Sequence, residues 1–186
     1  MQFNKLINSI LKESTENLKY CLYYNGKMIY AGDVVPIEAM IGDMAGGLNM
    51  GGEDTTWVVD SIILTACQPE IAPAGSSIIP NRSIYCTNSS GKRYGIIDSH
   101  AMKNGTIDID NIDTVASYNV TFKIFSTLLI VTWTVHQAKN KDGSYTTWYN
   151  NRGGINTQVL DFHIVDVQEF IKHAYKDSGL IDMIDF

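Results

Sequence analysis

The spacing of hydrophobic and polar positions along this chain changes period several times, and each change predicts an element. "FNKLINSILKES" sets Phe3, Leu6, Ile7, Ile10 and Leu11 at helical spacing, with Asn4, Lys5, Asn8 and Lys12 opposite. That pattern predicts an amphipathic helix close to the start of the chain. "LKYCLYYNGKMIYAGDVV" then forms two aromatic-rich runs about Asn25-Gly26, the pair best suited to a two-residue hairpin turn. The next segment, "IGDMAGGLNMGGEDTTW", is rich in Gly and Met and predicts a long irregular loop.

"TWVVDSIILTACQ" is a short apolar run that fits a buried strand or a buried helix, and periodicity leaves both open. Pro69, Pro73 and Pro80 make the following segment a turn-rich connection. "SIYCTNSSGKRYGIIDSH" predicts a second hairpin looped on "NSSGK". In "GTIDIDNID", Ile107 and Ile109 alternate with Asp108 and Asp110, as an exposed strand would. From Ser117 to Gln137 the chain is rich in β-branched and aromatic residues, and a third hairpin is expected to turn at Asp142-Gly143. "TQVLDFHIVDV" predicts one more strand. Asp166 and Glu169 have capping-box spacing for a final helix, with Phe170, Ile171, Ala174 and Tyr175 as its apolar face and Ser178-Gly179 as its stop.

The expected fold class is therefore α+β: a single domain with a β-rich middle of antiparallel hairpins and an amphipathic helix near each terminus. Its expected organisation is an N-terminal helix over 1–18, the α+β domain over 19–177, and an apolar, acidic tail over 178–186.

Bulk composition narrows the function. A chain of 186 residues suffices for one well-buried core. Its charged fraction of 18% lies below the usual value of about 25%, as in subunits whose surface neighbours cover. The net charge is −6 and the basic residues are scattered, which argues against nucleic acid as a primary ligand and against an anionic membrane surface. Cys21, Cys67 and Cys86 form no CxxC or Cys/His metal pattern and no disulfide framework. Neither a signal-peptide pattern nor an apolar run of membrane length is present, so an intracellular setting is expected.

The candidate chemistry centres on Asp98-Ser99-His100. A strand places Asp98 and His100 on one face, where a carboxylate orients an imidazole and raises its basicity. "YGIIDSH" resembles the Asp-x-His strand of the papain-like cysteine peptidases found in herpesvirus tegument proteins. That resemblance implies a cysteine nucleophile upstream at a helix N-terminus. The matching place is "GGEDTTWVVDSIIL", where Thr56-Trp57 stands in place of a Cys-Trp pair, and Thr56 has no thiol. Cys67 lies at the far end of that segment and Cys86 in the strand expected to pair with the triplet. Asp98 and His100 remain the catalytic candidates, in an enzyme or in an inactive relative.

Other motifs fit binding or structure. The glycines of "MAGGLNMGGEDTT" lack the lysine of a phosphate loop, and Met44, Leu48 and Met50 suit an adaptable contact surface. "DIDNID" lacks the Gly and Glu of a calcium loop and fits a solvated strand or turn. His163 follows Asp161 and would complete a metal site with Asp98 and His100 only if their strands were adjacent; packed histidines are the simpler expectation. His136 and His173 have no carboxylate at a telling spacing. The tail residues Ile181, Met183 and Phe186 suit a docking peptide.

The opening "MQFNKLINSILKES" is similar to the starts of many small proteins of tailed phages. The function expected from all this is a non-enzymatic structural or interaction protein. It would be a phage virion component such as a head–tail connector, tail or accessory capsid subunit, found in the virion or the host cytoplasm. Its expected partners are protein subunits, including its own copies, met through Phe3, Leu6, Ile10, Met44, Leu48, Met50, Ile181, Met183 and Phe186. No cofactor and no metal are expected. The alternatives are a papain-like cysteine hydrolase or its inactive relative, and a small phage protein that binds a host target.

Overall fold

Asn25 and Gly26 both take left-handed backbone, with φ of 49° and 76°, as a two-residue hairpin turn requires. They join β1 (Tyr20–Tyr24) to β2 (Lys27–Ile29). The computed structural model describes residues 18–35, 56–67, 70–71, 84–87, 90–97, 107–124, 129–150 and 157–176. The remaining strands are β3 (Val34–Val35), β4 (Trp57–Cys67), β5 (Glu70–Ile71), β6 (Ile84–Thr87), β7 (Arg93–Ile97), β8 (Ile112–Ile124), β9 (Leu129–Asn140), β10 (Tyr145–Asn150), β11 (Thr157–Leu160) and β12 (His163–Asp166). One α-helix, α1 (Val167–Lys176), follows β12.

The strands form three antiparallel sheets. The main sheet has six strands in the order β11-β10-β9-β8-β4-β3 and curls into a half-barrel. An end sheet, β12-β1-β2, zips the last described strand onto the first, with Tyr20 opposite Asp166 and Tyr23 opposite His163. A small sheet, β5-β6-β7, stands apart in sequence between β4 and β8.

Bulges account for the curl. Between Val59 and Ser61, and again between Leu64 and Ala66, β4 slips register against β8, leaving Asp60 and Thr65 as extra residues. Each bulge bends its strand and increases its twist. Both extra side chains find partners: Asp60 pairs with Lys123, and Thr65 donates its hydroxyl to the Ser117 carbonyl at 2.9 Å.

Alternation divides the core in two. On β8, β9 and β10, Val120, Phe122, Val135 and Tyr149 point to the concave side, where they meet Tyr20, Leu22, Phe162 and Ile164. Their neighbours Val115, Ala138 and Trp148 point the other way, onto Ile84, Cys86, Ile96 and Ile97 of the small sheet. The main sheet is thus covered on one face by the end sheet and over part of the other by the small sheet, while Ile63 and Ile130 stay exposed on that second face.

That arrangement corrects the expected α+β class. Among the described residues the protein is nearly all sheet with one helix, so the α+β class does not hold. The physical reason is that other sheets, rather than helices, cover the buried parts of the main sheet. The helix expected at the start of the chain lies outside the described residues, as do the Gly/Met segment and the tail. The C-terminal helix is there, and Asp166 caps it, its Oδ1 accepting from the N–H groups of Gln168 at 2.9 Å and Glu169 at 3.1 Å.

Two further corrections concern single segments. "TWVVDSIIL" is strand, with Trp57, Val58 and Val59 all buried, so alternation is lost where the strand is covered on both faces. Residues 107–111 are no exposed strand: Ile107 and Ile109 are buried, and Ile109–Asn111 is a 3₁₀ turn whose Asp110 N–H donates to the Asp108 carboxylate at 3.1 Å.

Candidate functional site

Two adjacent residues of β9, His136 and Gln137, are polar yet buried between Val135 and Ala138, and each organises one face of the main sheet. His136 points to the small sheet. Its Nδ1 and the Ser117 hydroxyl share a hydrogen bond of 2.8 Å, and Cys86 Sγ lies 3.6 Å from the same hydroxyl. A serine beside an imidazole has the form of a nucleophile and its base. Here, however, Ser117 is fully buried, His136 is 3% exposed, and burial pulls the imidazole down to about 4. At neutral pH the ring is uncharged and a poor base, and no substrate reaches the hydroxyl. The trio is a satisfied core network.

The same seam holds a second polar tie. A bulge at Ile96 shifts the β6–β7 register and leaves the Ile96 carbonyl pointing at the main sheet. It accepts from Trp148 Nε1 at 3.1 Å and from Asn150 Nδ2 at 2.8 Å.

Gln137 points to the concave side and joins two sheets. Its Nε2 donates to the Ile164 carbonyl at 2.8 Å, while its Oε1 accepts from the Ile164 N–H and from the Thr147 hydroxyl, the latter at 3.3 Å. The side-chain amide thus pairs with the backbone of β12 as a neighbouring strand would.

Beside Gln137 a cleft of about 610 Å³ opens between β12, α1 and the ends of β8, β9 and β10. That volume lies within the range of small-molecule sites. Four rings line one wall. Tyr145 and His163 stack with centroids 4.9 Å apart and planes 5° apart; Tyr23 leans on His163 at 5.0 Å, and Phe170 stands 6.2 Å from Tyr23. Burial holds the His163 imidazole below its ordinary value, so the stack is uncharged at neutral pH. Thr114, Tyr118 and Lys139 face it from β8 and β9, and Glu169 and His173 from α1. The helix contributes at Glu169, Phe170 and His173, which with its cap Asp166 form one stripe of a 3.6-residue period.

The sequence-predicted site residues stand elsewhere. Asp98 and His100 lie outside the described residues, as do Phe3, Leu6, Ile10, Met44, Leu48, Met50, Ile181, Met183 and Phe186. What is described is their setting: β7 runs up to Ile97, and its partner strand β6 carries Cys86, buried beside the Ser117–His136 pair. Thr56 is an exposed residue leading into strand β4, so the helix N-terminus that would activate a nucleophile at this place is absent. His163 packs against tyrosines while Asp161 faces solvent. Among the described residues no cluster of three His, Cys, Asp or Glu side chains stands close enough to hold a metal ion.

Sequence reasoning missed the cleft because Tyr23, Tyr145, His163 and Phe170 are far apart in the chain. The usable signal was the adjacent polar pair His136-Gln137 between Val135 and Ala138, which on a strand covered on both faces demands partners from two different layers. No family model, curated protein or solved structure matches this chain.

Proposed function

We propose that this protein is a non-enzymatic interaction protein that joins copies of itself, or neighbouring subunits, by strand pairing. The observation that carries this reading is the open half-barrel. Among the described residues the main sheet ends on β3 at one side and β11 at the other. Each edge strand carries an exposed valine, Val34 at 65% and Val159 at 41%. An edge strand offers a row of backbone donors and acceptors to another chain, and an apolar side chain on it favours that pairing. The low charge fraction of the whole chain supports the same reading.

The assembly we have in mind is a phage particle, with this chain as a connector, tail or accessory capsid subunit. That part rests on the likeness of the opening residues to small tailed-phage proteins. Light scattering across a concentration series tests the assembly: an oligomer is expected, weakened by Val159→Lys. A strict monomer at every concentration overturns strand pairing between copies. Mass spectrometry of purified particles tests the setting, with a stoichiometric copy number expected.

A further inference from the structure

Tyr145 combines rigidity with access. One face rests flat on the His163 ring, yet the residue is 45% exposed, so the opposite face is open. His163 is itself braced by Tyr23, its direct cross-strand partner, and Tyr23 by Phe170. A tyrosine backed by three rings is a fixed aromatic platform at the mouth of a cleft, and it has little rotamer freedom left to lose on binding.

The groups around the platform decide what it suits. Lys139 sits opposite Tyr145 in the β9–β10 register, and Thr114 opposite Lys139 in the β8–β9 register. Glu169 and His173 come from α1 on the other side. Asp166 lines the cleft too, but its Oδ1 caps α1, and the partial positive charge of that helix N-terminus offsets part of its own. The cleft thus carries one ammonium, two carboxylates of which one is partly offset, and the His173 imidazole, so the net charge is small. An organic cation would call for a larger surplus of carboxylate, and an anion for more than a single lysine. Donors and acceptors interspersed around an aromatic face match a neutral ring bearing hydroxyls, since each hydroxyl both donates and accepts.

We infer that this cleft binds a neutral saccharide, with the apolar face of one pyranose ring on Tyr145 and its hydroxyls shared among Lys139, Thr114 and Glu169. The inference stands independently of strand-edge assembly, because the platform lies beyond the paired part of β11.

Saturation-transfer NMR on the full chain tests it, with methyl glucoside, galactoside, mannoside and N-acetylglucosaminide as probes and adenosine and choline as comparators. Ring protons of at least one pyranoside are expected to take up saturation. That signal should vanish in Tyr145→Ala, persist in Tyr145→Trp, and weaken several-fold in Glu169→Gln, whose exposed helical position keeps the fold intact. Saturation of none of the pyranosides overturns the inference. So does a pyranoside signal unchanged in both Tyr145→Ala and Glu169→Gln, or saturation of adenosine or choline alone.

Discussion

His136 and Gln137 are neighbours on one strand, and they show how differently the two faces of one sheet handle a buried polar group. His136 is sealed in the seam with the small sheet, bonded to another side chain, and forced to stay neutral. Gln137 is bonded to backbone of another sheet and sits beside an open cleft. The first arrangement locks two layers together at the cost of acid sensitivity. The second fixes the position of a strand while leaving room beside it for a ligand. A buried side chain that titrates suits a closed seam, and an amide that never titrates suits the wall of a site.

The largest test of the seam is Trp148→Ala. Trp148 is fully buried against the small sheet, and its indole N–H holds the Ile96 carbonyl. Loss of about 4 kcal/mol is expected in urea unfolding. A loss below about 1 kcal/mol would mean that the small sheet adds little to the fold.

Acid comes next. The His136 value falls from 6.5 to about 4 on folding. The unfolded chain therefore binds the proton first as pH drops, and stability falls between those two values, by roughly 3 kcal/mol in all. Stability should be level above pH 6.5 as far as this residue is concerned, and level again below about 4. Unfolding free energies measured across that window check it, and His136→Gln should flatten the slope. An unchanged slope in that variant would assign the acid sensitivity to other groups.

Gln137→Leu probes the other face. It keeps a similar volume but strands the N–H and C=O of Ile164, and a loss of about 2 kcal/mol is expected. Amide exchange at Ile164 should quicken while exchange on the small sheet does not. If both regions loosen together, the two faces are not independent. The smallest effect is expected at Ile130, which is 58% exposed: Ile130→Thr should change stability by no more than about 0.5 kcal/mol.

Local chemistry in this chain was legible, and layer arrangement was not. Asn25-Gly26, Asp142-Gly143 and the Asp166 cap act within a few residues, and each is found where its pattern placed it; Gly143 has φ of 85° and the Asp142 carboxylate binds both the N–H and the hydroxyl of Ser144. The Asp142 carboxyl is held below its usual value by those bonds. The apolar run of β4 could not be typed, because Trp57, Val58 and Val59 are buried together and the bulge at Asp60 then shifts the alternation. "TQVLDFHIVDV" contains two strands, split at Asp161-Phe162, that join different sheets, and no local feature of the segment announces the change of partner. The cleft was invisible for a related reason. It exists only once β1 meets β12, and nothing near Tyr23 indicates that its neighbour will be His163.

That meeting also sets an order of events. A ribosome delivers Tyr20–Tyr24 well before His163–Asp166, so β1 waits through the synthesis of everything between them with only its hairpin partner β2 in place. Meanwhile its other edge, on a run reading YCLYY, is open to any passing strand. The vulnerable moment for this protein is therefore in its making, and a fast-translating host without holding chaperones should return more of it as aggregate than its finished fold would suggest.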